Sequence, residues 1–119
     1  MVNQSQSALK LSPNEIRAIE KFLHKAREVY GKEILQTALF GSKARGNATA
    51  TSDIDLLLIV TNDNWIFQRA LIELSAEIGL EQDVLFDLRI ISLERWQQMS
   101  AMRSGLVRSI EKESIPLAG

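Results

Sequence analysis

The apolar and polar positions of this chain change period several times, and each change marks an element. After a polar opening, Ser12-Pro13-Asn14-Glu15 reads as a helix start, with Ser12 as N-cap, Pro13 in the first turn and Glu15 closing a capping box. Ile16, Ile19, Leu23, Ala26 and Tyr30 then recur at helical spacing, and Gly31 supplies a stop. Ile34–Phe40 is short and apolar, the pattern of a strand, and it ends at Gly41-Ser42. Ala44–Ser52 is small, polar and glycine-containing, which predicts a short helical turn and a loop. Asp53–Val60 predicts a second strand, its unbroken run Leu56-Leu57-Leu58-Ile59-Val60 pointing to burial on both faces. Thr61-Asn62-Asp63-Asn64 opens a helix carrying Ile66, Ala70, Leu74 and Ile78, with Gly79 near its end. Val84–Ile91 predicts a third strand, Ser92 begins a helix with Leu93, Trp96 and Met99, and Leu106–Ile110 adds a last short one.

This order predicts an α/β (α+β) fold, a small mixed β-sheet with flanking helices. Residues 1–11 read as a flexible N-terminal tail and 12–119 as one domain, without an internal repeat, low-complexity run or long linker. A chain of 119 residues, 45% of them hydrophobic, suits a single modest core. The net charge of −1 argues against a dedicated DNA- or RNA-coating surface but is compatible with binding one nucleotide. The absence of cysteine rules out disulfides and thiolate metal sites and suits the cytoplasm. No apolar run reaches the roughly 18 residues of a membrane-spanning helix, and the opening residues lack a signal-peptide layout.

The chemistry concentrates where the first two strands meet. Gly41-Ser42 is followed, after ten residues, by Asp53-Ile54-Asp55 running into the apolar strand. Alternation places Asp53 and Asp55 on one face, about 6.6 Å apart along the chain, with Ile54 and Leu56 on the other. Two carboxylates on one face repel unless a cation lies between them, and oxygen donors favour a hard divalent ion such as Mg²⁺. Two such ions can activate an attacking hydroxyl and stabilise a leaving pyrophosphate. A third carboxylate is then expected from the third strand, which offers Asp83 and Asp87. Asp87 is preferred, because it is flanked by apolar residues where a bare charge is costly, whereas Asp83 follows Glu81-Gln82 at the strand's entry. Gly41 lets backbone approach a phosphate, Ser42 adds a hydroxyl and an amide, and Lys43 and Arg45 are candidates to neutralise a triphosphate.

Leu39-Phe40-Gly41-Ser42-Lys43-Ala44-Arg45-Gly46, followed by Ser52-Asp53-Ile54-Asp55-Leu56, resembles the signature of the DNA polymerase beta nucleotidyltransferase superfamily. More narrowly it is similar to the minimal nucleotidyltransferases, and the resemblance covers most of residues 34–113. It implies a polymerase-beta-type core in which Gly41 and Ser42 contact nucleotide phosphates and Asp53, Asp55 and Asp87 bind Mg²⁺. It also implies transfer of a nucleoside monophosphate, AMP from ATP, to an acceptor hydroxyl with release of pyrophosphate. Members are often paired with a small helical HEPN protein as toxin and antitoxin, and in some pairs the enzyme adenylylates a tyrosine of the toxin. Lys43 departs from the pattern, standing where arginine is common. The helical acceptor-binding domain of larger relatives does not follow the core here. The expectation is that a second subunit or protein provides the acceptor, in a homo- or hetero-oligomer.

Other residues invite simpler readings. His24, Lys21, Lys25 and Arg27 look like a solvated helix surface, and Tyr30 fits that helix's apolar face. Trp65 and Trp96, at helix starts, suit packing against the sheet or a partner. Arg89 shares the face of Asp87 and reads as a structural partner for a carboxylate. Two alternatives to protein modification stand beside it: a non-catalytic binding antitoxin or scaffold of the same fold, and nucleotidyl transfer to a small molecule such as an antibiotic.

Overall fold

The computed structural model describes residues 11–45 and 53–117. Helix α1 (Pro13–Tyr30) starts as its cap residues dictate: the Glu15 amide donates to Ser12 Oγ at 3.1 Å, and the Ser12 amide donates to Glu15 Oε1 at 2.8 Å. Strand β1 (Ile34–Phe40) leads into the single helical turn α2 (Gly41–Arg45). After residues outside the description come β2 (Ile54–Val60), the long helix α3 (Trp65–Gln82) and β3 (Phe86–Ser92). Two short helices, α4 (Leu93–Ala101) and α5 (Gly105–Glu113), precede a two-residue strand β4 (Ile115–Pro116).

The four strands form one mixed sheet in the order β3-β2-β1-β4. β1 pairs antiparallel with β2 and with β4, whereas β2 and β3 run parallel, joined by α3 as the crossover that parallel pairing requires. β2 is thereby central, and its even residues Ile54, Leu56, Leu58 and Val60 are almost wholly buried. They meet Ala18, Ile19, Phe22, Leu23 and Ala26 of α1 and Leu71 and Ile78 of α3 in the main core. Two aromatic contacts bind that layer: Phe22 with Phe86, centroids 5.7 Å apart, and Tyr30 edge-on to Phe67 at 5.1 Å. The other face of the sheet carries a smaller cluster of Ala38, Leu57, Ile59, Ile91 and Ile110, against which Phe40, Trp96, Met99 and Leu106 pack.

Several expectations are revised. Residues 1–10 of the expected tail lie outside the described residues, but Leu11, its last residue, is buried in the main core. Helix α3 passes through Gly79 to Gln82, because Asp83 takes the left-handed conformation (φ 57°) and donates its amide to the Gly79 carbonyl. Its buried stripe is Leu71, Ser75, Ile78 and Gly79, while Ile66, expected to face inward, is exposed. The third strand begins at Phe86, two residues later than its apolar pattern suggests. β4 is an addition: Thr37 Oγ1 donates to the Leu117 carbonyl and the Leu117 amide donates to the Thr37 carbonyl, each at 2.9 Å. A proline is tolerated there because β4 is an edge strand.

Candidate active site

The candidate residues gather where β1 leaves the sheet and where β2 and β3 enter it. The antiparallel register sets Phe40 opposite Asp55, so the turn that follows Phe40 lies against the start of β2. The parallel register sets Asp55 beside Asp87. Register partners on adjacent strands lie about 4.8 Å apart with side chains on the same face. Asp87 is exposed, Asp55 half-buried, and Asp53 stands exposed immediately ahead of the strand. Asp55 and Asp87 belong to the odd-numbered face, in line with Leu57, Ile59 and Ile91 of the smaller cluster.

Gly41 explains itself in this setting. Its φ is +74°, in the left-handed region that glycine occupies without strain, and a Cβ there would collide with Asp55 Oδ2. The residue therefore serves two constraints at once, turning the chain out of β1 and leaving the Asp55 carboxylate in contact with bare backbone. Asp83, the other acid considered for the third strand, is the left-handed cap of α3 and belongs to no strand. Arg89 is exposed one pleat beyond Asp87, in register with Leu57.

Lys43 of the turn is not a freely exposed cation. Lys43 is 5% exposed, and its ammonium is ion-paired with the Glu15 carboxylate at the start of α1. Its charge answers a buried anion of the fold. The side chains of Ser42 and Arg45 lie outside the described part of the structure. The Glu15–Lys43 pair is the feature that sequence reasoning missed. Glu15 carries a local capping signal, but nothing local joins it to a lysine 28 positions on (43 − 15).

A hard divalent cation fits this donor set in one respect and is constrained by it in another. The donors are carboxylate oxygens, and two of them are register partners on one face. Among the described residues no three acidic or imidazole groups close into a cluster, so the carboxylates line an edge and do not form a cage. Mg²⁺ is commonly held in that way, by one or two carboxylates together with substrate phosphates. No helix among the described residues is long and apolar enough to cross a membrane.

Comparison with known proteins agrees with this fold. A protein of Methanocaldococcus jannaschii provisionally named a protein adenylyltransferase is 43% identical over 44 residues, a stretch spanning 37% of this chain and 30% of that relative. The crystal structure of a provisionally assigned nucleotidyltransferase from Sulfolobus solfataricus superposes with a TM-score of 0.56 at 15% identity, covering 97% of this chain and 87% of that one. A toxin–antitoxin structure with AMP-PNP gives a TM-score of 0.51 at 22% identity over 84% of this chain and 73% of that one. At such identities the structural likeness is one of fold. The sequence profile described as the nucleotidyltransferase domain matches residues 17–117, a span that takes in the turn at Gly41 and all three candidate carboxylates, and the chain belongs to that family.

Proposed function

We propose that this protein is a Mg²⁺-dependent nucleotidyltransferase that moves AMP from ATP to a hydroxyl of a partner protein, as the antitoxin of a pair whose toxin is a small helical protein of the HEPN type. The observation that carries the reading is the register of Asp55 with Asp87 beside Gly41, whose missing side chain leaves backbone in contact with the Asp55 carboxylate. Family membership supports the reaction class. The name of the Methanocaldococcus jannaschii relative supports a protein acceptor, and the fold shared with a toxin–antitoxin structure that holds an ATP analogue supports the partner and the nucleotide.

In this reading Asp53, Asp55 and Asp87 hold the metal, which when bound would neutralise phosphate charge and polarise the reacting phosphate. Gly41 and Ser42 present backbone amides to the phosphates. The acceptor hydroxyl oxygen attacks the α-phosphorus, its bond to the β-phosphate oxygen breaks, and pyrophosphate leaves. The hydroxyl proton passes to Asp87, an exposed carboxylate of this edge.

The test is label transfer from α-phosphate-labelled ATP with Mg²⁺, with and without the candidate partner, in wild type and in Asp53→Asn. The expected result is a labelled partner that disappears in the variant. Undiminished transfer by Asp53→Asn would remove the metal assignment. Neutralisation of the partner that survives loss of both Asp53 and Asp55 would select a non-catalytic antitoxin.

A further inference from the structure

We infer that the buried Glu15–Lys43 pair is a latch through which helix α1 positions the turn Gly41–Arg45, making Glu15 and Lys43 positioning residues for nucleotide binding. The inference rests on the reading of that turn as the phosphate-binding element.

A five-residue helix cannot hold its own conformation, since forming one turn fixes several dihedral angles for a single hydrogen bond. The turn must be held from outside. Among its described side chains, Gly41 has none and Ala44 contributes one buried methyl group. The Lys43 side chain reaches inward to the Glu15 carboxylate, with both side chains about nine-tenths buried. Glu15 is itself held firmly. It closes the capping box of α1, and its negative charge sits at the positive end of that helix's dipole. One carboxylate thus joins the start of an 18-residue helix to the turn beside Asp55.

Such a pair is a poor device for stability alone, because burying two charges costs about as much as their attraction returns. It is a good device for placement. An apolar contact tolerates sliding, whereas an ammonium buried against a fixed carboxylate has one position at which both charges are satisfied. Displacing a phosphate-binding turn by about 1 Å can slow a reaction by about 10²-fold, so a fixed turn has value beyond its stability.

The deciding variant is the double substitution Glu15→Gln/Lys43→Met. Glutamine keeps the capping box and methionine keeps most of the lysine's volume, so both charges are removed with the cap intact. Three quantities are read on the full chain: melting temperature, amide exchange of Gly41–Arg45 relative to that of the β2 core, and affinity for ATP with Mg²⁺. The expected result is a melting temperature close to wild type, faster exchange confined to the turn, and nucleotide binding weaker by about tenfold. Glu15→Gln alone serves as the second variant and should speed exchange in the same segment, while Lys43→Arg with Glu15 intact keeps the charge pair and should stay near wild-type values.

Turn exchange and ATP affinity both unchanged in the double variant would overturn the latch. So would changes that merely follow a uniform loss of stability. Faster turn exchange in a protein whose wild type binds no ATP would support the latch and overturn the nucleotide reading on which its function depends.

Discussion

The two faces of the sheet are built from the same strands and have opposite characters. The even-numbered side chains of β2 are sealed beneath two 18-residue helices, α1 and α3. The odd-numbered ones begin with the Asp55 carboxylate at the strand's entry and become apolar only from Leu57 onward, under the shorter helices α4 and α5. One face therefore supplies cohesion. The other gives up cover at one end, and that end is where like charges are brought side by side. A sheet with both faces sealed would be more stable and would have nowhere to expose Asp53, Asp55 and Asp87.

The comparison can be broken by mutation. The largest effect on folding is expected from Leu58→Ala, which opens a cavity in the sealed face and should cost about 4 kcal/mol in denaturant unfolding. Leu57→Ala, one residue away on the smaller cluster, should cost about 2 kcal/mol, since its surroundings are freer to collapse. Equal costs would mean that the two faces are packed alike. Next comes Asp87→Asn, expected to lower label transfer by about 10²-fold or more. The same variant should raise the melting temperature without Mg²⁺, because it relieves repulsion with its register partner Asp55. A lower melting temperature would show that Asp87 serves the fold.

The smallest effect concerns the sealed side. Lys21 reaches Glu81 at 2.7 Å, tying α1 to α3, and its hydrogen bond and charge hold the Glu81 carboxyl below its ordinary value. A depressed carboxyl stabilises the fold above the unfolded-state pKa and loses that contribution as pH falls through the folded-state value. Wild type should therefore exceed Glu81→Gln slightly in stability at neutral pH, with the gap closing below about pH 4. High salt should shrink it too, since the pair is exposed. A gap that persists in acid would assign the tie to something other than charge.

Much of this arrangement was legible in the chain. The start of α1 and the whole of β1 have local signals, a capping box and a bounded apolar run, and the observed elements coincide with them. The nearness of Gly41 to Asp55 follows once two strands joined by a short connection are paired. The phase of α3 was not legible, because apolar residues surround that helix. Trp65, Ile66, Ile72 and Leu80 are exposed, so periodicity could not say which side faced inward. β4 has two residues, one of them proline, too few to show any period. The Glu15–Lys43 pair was invisible for another reason: it is a contact between two elements whose sequences do not announce one another.

The parallel pairing of β2 with β3 also has a consequence for how the protein comes into being. Antiparallel β1 and β2 can meet over a short connection, but Asp55 and Asp87 are 32 positions apart (87 − 55) and become neighbours only after α3 has formed and crossed over. Pairings that close longer loops come later and more slowly. During synthesis Gly41, Asp53 and Asp55 emerge first, and the chain must lengthen through the whole crossover before β3 can dock. The site is thus ordered by synthesis: a nascent chain holds two of its carboxylates early and gains the third only once the crossover and β3 have been made.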